Sequence, residues 1–207
     1  MASNAPPVRV LALGVVAPLA VFALLARGVL EGGFRWDAAL LRFSESRYDL
    51  DVAEVLRAFA LLGLVAVAGL GVGVLAFLLA RRSRGEALFW SLALGGVVVL
   101  DPLLKAVFQR PGLPPSQEFS FPSGQAMATL AAVAALAALV ASGRRRLLLL
   151  TAGGGLVLAN GLVIVFLWWH HPSDVLAGWC LALSWVCALR LLLPLPDRGQ
   201  LSHEFET

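Results

Sequence analysis

The chain is 207 residues long, 59% hydrophobic and only 14% charged, with a mean hydropathy of +0.85. Ordinary soluble domains are about 45–50% apolar and about 25% charged, which excludes a soluble globular enzyme and, with it, a disordered chain or a charge-rich coiled coil. The net charge of +3 does not point to nucleic acid, because the basic residues sit in short clusters between long apolar runs; the class is integral membrane protein.

A bilayer core about 30 Å thick needs roughly 20 apolar residues per helix. Six segments meet or approach that length, near residues 10–26, 55–80, 87–104, 122–141, 147–169 and 175–193. They predict an all-α fold, a six-transmembrane-helix bundle forming one membrane domain over residues 1–207. The first segment is a mature helix rather than a signal peptide, since Arg9 alone is a poor basic leader and five more spans follow. Between the first two spans, Trp36, Leu40 and Phe43 recur at helical spacing with Asp37, Arg42 and Glu45 among them. That pattern predicts a short interfacial amphipathic helix over 36–47. Asp51 followed by Glu54 resembles a capping box at the start of the second span. Gly69-x-x-x-Gly73, Gly95-Gly96 and Gly153-Gly154-Gly155 are expected to let helices of the bundle approach closely. Cys180 and Cys187, seven residues apart on one helix, are about 10.5 Å apart along its axis and read as buried apolar residues. Residues 197–207 form a polar tail.

Orientation follows from the arginine clusters, because Lys and Arg near span ends stay cytoplasmic. Arg81, Arg82 and Arg84 join spans two and three, and Arg144, Arg145 and Arg146 join spans four and five. With six spans both termini and the tail are then cytoplasmic. The segment from Arg27 to Arg57 carries five arginines of its own and pulls the other way.

The polar residues that interrupt the apolar chain converge. Lys105 and Arg110 follow span three, Pro122-Ser123-Gly124 opens span four, His170-His171 ends span five and Asp174 starts span six. Alternating topology puts all four groups on one face, opposite both arginine clusters. Pro is favoured at the first helical position, so Pro122-Ser123-Gly124 is expected to present free backbone N–H groups at a positive helix end. Lys105 and Arg110 supply charge for a phosphate, the Arg as a bidentate fork. His170 suits a nucleophile and Asp174 a group that holds its imidazole in the reactive tautomer. Singly, each residue has a structural use as an interfacial anchor, a helix start or a dipole partner. Asp101 and Asn160, deeper in spans three and five, serve equally as helix glue or pocket lining. Together they describe a phosphoryl-transfer site.

Three runs carry a family resemblance: Lys105-Ala-Val-Phe-Gln-Arg110-Pro111, then Phe121-Pro122-Ser123-Gly124, then His170-His171-Pro172-Ser173-Asp174-Val175-Leu176-Ala177-Gly178. In this order on a six-span chain they resemble the type 2 phosphatidic acid phosphatase superfamily of membrane lipid phosphatases. The resemblance implies that His170 forms a phospho-histidine oriented by Asp174. It also implies that Lys105, Ser123 and Gly124 bind phosphate, with Arg110 and Gln125 beside them. The chain departs from the family pattern at three points. Lys-x6-Arg-Pro would put the phosphate-binding Arg at Gly112, two residues after Arg110. The His that ends the second motif, the family's candidate general acid, is Gln125. The Ser-Arg that opens the third motif is Val163-Ile164.

Two functions remain open on these grounds. One is a lipid-phosphate or lipid-diphosphate phosphohydrolase, weakened or specialised, with polyprenyl diphosphate as a candidate substrate. The other is a catalytically degenerate relative that binds or moves a lipid phosphate. An unrelated transporter or scaffold is disfavoured by the order and spacing of the motifs. No metal or other cofactor is implied, since no ligand-spaced cluster appears. The expected partners are the lipid substrate and membrane lipids, not nucleic acid. The expected location is a bacterial-type plasma membrane with the site on its outer face.

Overall fold

The structure is a computed structural model and describes residues 7–113, 118–140, 143–193 and 195. The expected tail, 197–207, lies outside the described residues. Seven helices follow in order: α1 (Val8–Leu30), α2 (Arg35–Glu45), α3 (Leu50–Ala80), α4 (Arg84–Phe108), α5 (Gly124–Leu139), α6 (Arg144–Phe166) and α7 (Pro172–Leu192). Among the described residues only one isolated strand-like pairing occurs, between Pro111 and Phe119 in the α4–α5 link.

Five helices, α1, α3, α4, α6 and α7, are long and apolar enough to cross a membrane. The segment expected as a sixth span over 122–141 is shorter, because Ser123 serves as the N-cap of α5 and the helix ends at Leu139. Its 16 residues reach about 24 Å at 1.5 Å per residue. α5 lies centrally, packed on α3, α4, α6 and α7. Its buried face is Ala126, Met127, Ala131, Ala132 and Ala135, small side chains that let four neighbours close around it. Pro122 precedes the cap, joined to Phe121 by a cis bond, and so does not take the first helical position expected for it. The proline at that position is Pro172, in α7.

The bundle is apolar outside as well as inside. Only 6% of the most apolar stretch of α1, and the same share of α3, is buried within the protein, leaving side chains such as Leu13, Leu62, Val65 and Val72 outward, as lipid contact requires. From the end that carries the arginine turns inward, Phe89, Trp90, Val186 and Leu189 form one cluster that extends along α5 to Met127. Towards the other end, Ala60, Ala126, Ile164, Leu167 and Val175 form a second, and Phe22, Phe121 and Ala177 a third. Indole N–H groups tie helices together across these clusters: Trp90 donates to the Gly71 carbonyl at 2.8 Å and Trp185 to the Leu92 carbonyl at 3.0 Å.

Of the glycine motifs, Gly96 and Gly153 make the close approaches expected; a Cβ on Gly96 would lie 2.5 Å from Trp185 Nε1 and one on Gly153 2.6 Å from Val133 Cγ1. Gly69, Gly73, Gly95, Gly154 and Gly155 face open space, so the Gly69–Gly73 motif does not serve packing within this chain. The cap of α3 is also different from expectation. Asp49, not Asp51, is the N-cap, and it accepts from the Asp51 and Val52 N–H groups at 3.0 and 3.1 Å. Cys180 and Cys187 are free and half-buried.

α2 forms where the amphipathic pattern predicts. Trp36, Leu40 and Phe43 are exposed, while Asp37, Leu41 and Ser44 are buried against α6 and α7. The helix therefore has an outward apolar face and an inward face that contains a carboxylate.

Candidate active site

The α6–α7 link carries the two histidines, and its backbone is pinned from below. Ile164 O accepts from the Trp169 N–H at 3.0 Å and from the His170 N–H at 3.4 Å. Ile164 itself is fully buried, so the position at which the family pattern has an arginine here carries an apolar side chain supporting the loop. Trp168 takes φ +60°, a left-handed conformation that a bulky residue holds only when its surroundings enforce it. Its indole N–H donates to Ser44 Oγ of α2 at 3.0 Å.

His170 Nδ1 lies 3.0 Å from the Ser120 carbonyl oxygen. A carbonyl can only accept, so Nδ1 carries a proton, and whenever the ring is neutral Nε2 is its bare nitrogen. Asp174 Oδ2 stands 3.8 Å from the same Nδ1. It is closer to His171, whose Nδ1 is at 3.1 Å and whose backbone N–H donates at 2.9 Å. Asp174 is fully buried in the first turn of α7, where a carboxylate suits the helix dipole, and its other oxygen accepts from Arg110 Nη1 at 2.5 Å.

Arg110 does not reach towards open solvent. Nη1 also donates to Ser173 Oγ at 2.7 Å, and Nη2 donates to Asp37 Oδ2 at 2.8 Å. One guanidinium thus bridges a carboxylate of α2 and a carboxylate of α7. Asp37 accepts twice more, from the Ser173 N–H at 2.9 Å and from Ser173 Oγ at 2.6 Å. These four side chains form a closed, buried polar network behind the histidines, in which each charge has an opposite partner.

The N-terminus of α5 reaches the same end. The Ser123 N–H donates to the Asp174 carbonyl at 3.0 Å, and Ser123 Oγ accepts from the Ala126 N–H at 3.4 Å. Gly178 lets α7 press on this turn, since a Cβ there would meet the Ser123 carbonyl at 2.6 Å. Gly124 is pressed by Asp101, whose Cγ would lie 2.5 Å from an added Cβ. Asp101 pairs with Lys105, one helical turn on, at 3.3 Å. A carboxylate therefore sits at the positive end of α5, where an anion is favoured. Gln125 turns away into the bundle, donating from Nε2 to Asn160 Oδ1 at 2.8 Å and to the Ala60 carbonyl at 3.3 Å.

Beside these groups lies a cavity of about 950 Å³, at the upper end of the 300–1,000 Å³ usual for ligand sites. His170, Lys105 and Arg57 stand on its wall together with Tyr48 and Trp168. Glu45 and Glu118 share that wall, so its charge is mixed. Arg57 is exposed, on the second turn of α3, and makes no hydrogen bond or ion pair among the described residues. Arg110, Asp174, Ser123, Gly124 and Gln125 are not on this wall. Among the described residues, no three His, Cys, Asp or Glu side chains could together hold a metal ion.

The structure brings Lys105, Arg110, Ser123, Gly124, His170 and Asp174 to one end of the bundle, as alternating topology requires. It separates them into a front that faces the cavity (Lys105, His170) and a back that does not. Sequence reasoning missed Asp37, Ser173, Ser120 and Arg57. Asp37 had one legible signal, an acid at the start of an otherwise apolar-faced helix; the Ser120 carbonyl had none.

Comparison with known families bears on this arrangement. The sequence pattern of the PAP2 superfamily matches residues 57–195, about two thirds of the chain. The chain belongs to the PAP2 superfamily. Its fold is similar to that of a solved structure, the first transmembrane PAP2 type phosphatidylglycerolphosphate phosphatase from Bacillus subtilis. The two align with a TM-score of 0.71 at 21% identity, over 87% of this chain and 96% of that one. Among curated proteins, no sequence matches. Within the PAP2 match lie all three motif runs, together with Arg57 at its first position; α1 and α2, which supplies Asp37, fall before it.

Proposed function

We propose that this PAP2 protein is a phosphohydrolase of lipid phosphates or diphosphates that works through a phospho-histidine on His170. One observation carries the reading: His170, its Nδ1 committed to a carbonyl, stands on a cavity wall that also holds two cations, Lys105 and Arg57. In the first step the Nε2 lone pair attacks phosphorus, an N–P bond forms and the P–O bond to the lipid breaks. Asp174, buried behind the ring, balances the positive charge the imidazole acquires. In the second step a water oxygen attacks phosphorus, the N–P bond breaks, and inorganic phosphate leaves with His170 neutral again. Lys105 and Arg57, the two cations on the cavity wall, hold the phosphate oxygens. Arg110 serves Asp174 instead.

The leaving group selects the substrate. An alkoxide leaving from a monoester needs a proton, and general-acid help is typically worth about 10² to 10⁴ in rate. Gln125 has no proton to give, and its amide faces Asn160. A lipid diphosphate departs as a phosphate monoester and needs little protonation, so a polyprenyl diphosphate is the preferred substrate over phosphatidic acid. Phosphate release in nanodiscs tests this. The unmodified protein is expected to favour the diphosphate, and His170→Ala to lose both activities. Lack of release by the unmodified protein, with lipid-phosphate binding retained after His170→Ala, would instead identify a degenerate binder.

We further propose that α5 completes a sixth crossing and that the His170 end faces the outer side of a plasma membrane, with the arginine turns cytoplasmic. In a variant lacking Cys180 and Cys187, an impermeant thiol probe added outside is expected to label a cysteine at Glu118 and not one at Arg145. The reverse pattern would invert the topology.

A further inference from the structure

Asp37 alone among the charged residues of α2 is buried, at 3% exposure, and it is placed far in sequence from everything it binds. Its two oxygens take the Ser173 N–H, the Ser173 hydroxyl and one arm of Arg110. The other arm of Arg110 takes Asp174 and the same hydroxyl. Ser173 is the residue before Asp174, so the first turn of α7 is gripped at its backbone and at its carboxylate from one point on α2. A second tie runs from Ser44, two turns further along the same face, to the indole of Trp168, two residues before His170. The link bearing the histidines is thus fastened to α2 on both sides.

We infer that Asp37 is a positioning residue: through Arg110 and Ser173 it sets Asp174 behind the histidines, from a helix whose adjacent flank, Trp36, Leu40 and Phe43, is exposed and apolar. Asp37 is not on the cavity wall, so it acts without touching a ligand. Its charge matters as well as its shape. Without it Arg110 turns wholly to Asp174, drawing that carboxylate away from the histidine rings and neutralising the charge that supports them. A helix resting in the interface then serves as the rigid support for a reacting group carried on a link.

The kinetic part of this inference rests on the phosphohydrolase reading; the structural part does not. Asp37→Asn is nearly the same size and keeps an acceptor for the Ser173 N–H. In nanodiscs it is expected to lower kcat by about 10- to 100-fold, the scale seen when an outer partner that orients a histidine is removed, while KM moves by less than about twofold. Loss of packing alone would reduce the yield of folded protein and leave kcat per folded molecule unchanged. The chain has three histidines, so ¹⁵N imidazole spectra are simple to read. The Nδ1–H signal of the ring bonded to Asp174 is expected to shift in Asp37→Asn and not in Glu31→Gln, which alters only an exposed pair with Arg27. Should Asp37→Asn not fold, Ser173→Ala removes the hydroxyl link and is expected to move the same signals in the same sense. Wild-type kcat together with unmoved imidazole signals would overturn the inference. An unmodified protein that releases no phosphate would refute the phosphohydrolase reading, and the imidazole signals would still decide the positioning.

Discussion

Two arginines serve the same end of this bundle under different conditions. The side chain of Arg110 is one-tenth exposed and divides its guanidinium between Asp37 and Asp174, themselves buried. Arg57 is exposed on the cavity wall and bound to nothing among the described residues. The first holds the frame and the second is available to a ligand. An arginine near a histidine is therefore not a phosphate ligand by proximity, and the count of opposite charges already around it decides which role it takes.

Breaking each arginine should separate the two roles. Arg110→Ala leaves two buried carboxylates without their shared cation, and removing one partner of a buried pair costs about 3–5 kcal/mol. A pronounced drop in unfolding midpoint is expected in a thermal or denaturant titration, with activity lost alongside. A variant as stable as the unmodified protein would mean that the network contributes nothing to the fold. Arg57→Gln touches no internal partner, so its midpoint should be unchanged. If Arg57 holds a phosphate oxygen, losing a charge-assisted bond of about 1.5–3 kcal/mol lowers kcat/KM by roughly 10- to 100-fold, mostly through KM. Unchanged kinetics for the diphosphate would return Arg57 to the solvent.

The same contrast explains what was legible before the structure. Long apolar runs reveal spans because a bilayer demands length, and α1, α3, α4, α6 and α7 appear within a few residues of their expected limits. The run that became α5 read as longer than the helix, because hydropathy does not register the cap at Ser123. The amphipathic period of α2 was legible, but its faces were not fully so. Trp36, Leu40 and Phe43 define one side, and nothing in the period says that Asp37 meets Ser173, 136 positions away, rather than water. The histidine motif fixes spacing along one helix start and is blind to Ser120, whose backbone carbonyl sets the tautomer of His170. Arg110 was legible as a cation near the site, yet its role depends on the carboxylates facing it from two other helices.

Gln125 gives the smallest and most discriminating test of the division between front and back. Its amide belongs to the interior, held by Asn160 and the Ala60 carbonyl, and a histidine placed there would find the same acceptors. Gln125→His alone should therefore leave its ring bonded to Asn160 Oδ1, with only a few-fold gain in phosphatidic acid hydrolysis and none for a diphosphate. Adding Asn160→Ala removes that acceptor and frees the ring to turn towards the leaving group. The double variant should gain more on the monoester than the single, approaching the lower end of the roughly 10² expected of a general acid. Phosphate release from both substrates by the four proteins of this cycle measures the coupling between positions 125 and 160. If Gln125→His alone gives the full gain, the inward hydrogen bonds do not restrain position 125. If neither variant changes the ratio of monoester to diphosphate rates, leaving-group protonation is not what selects the substrate.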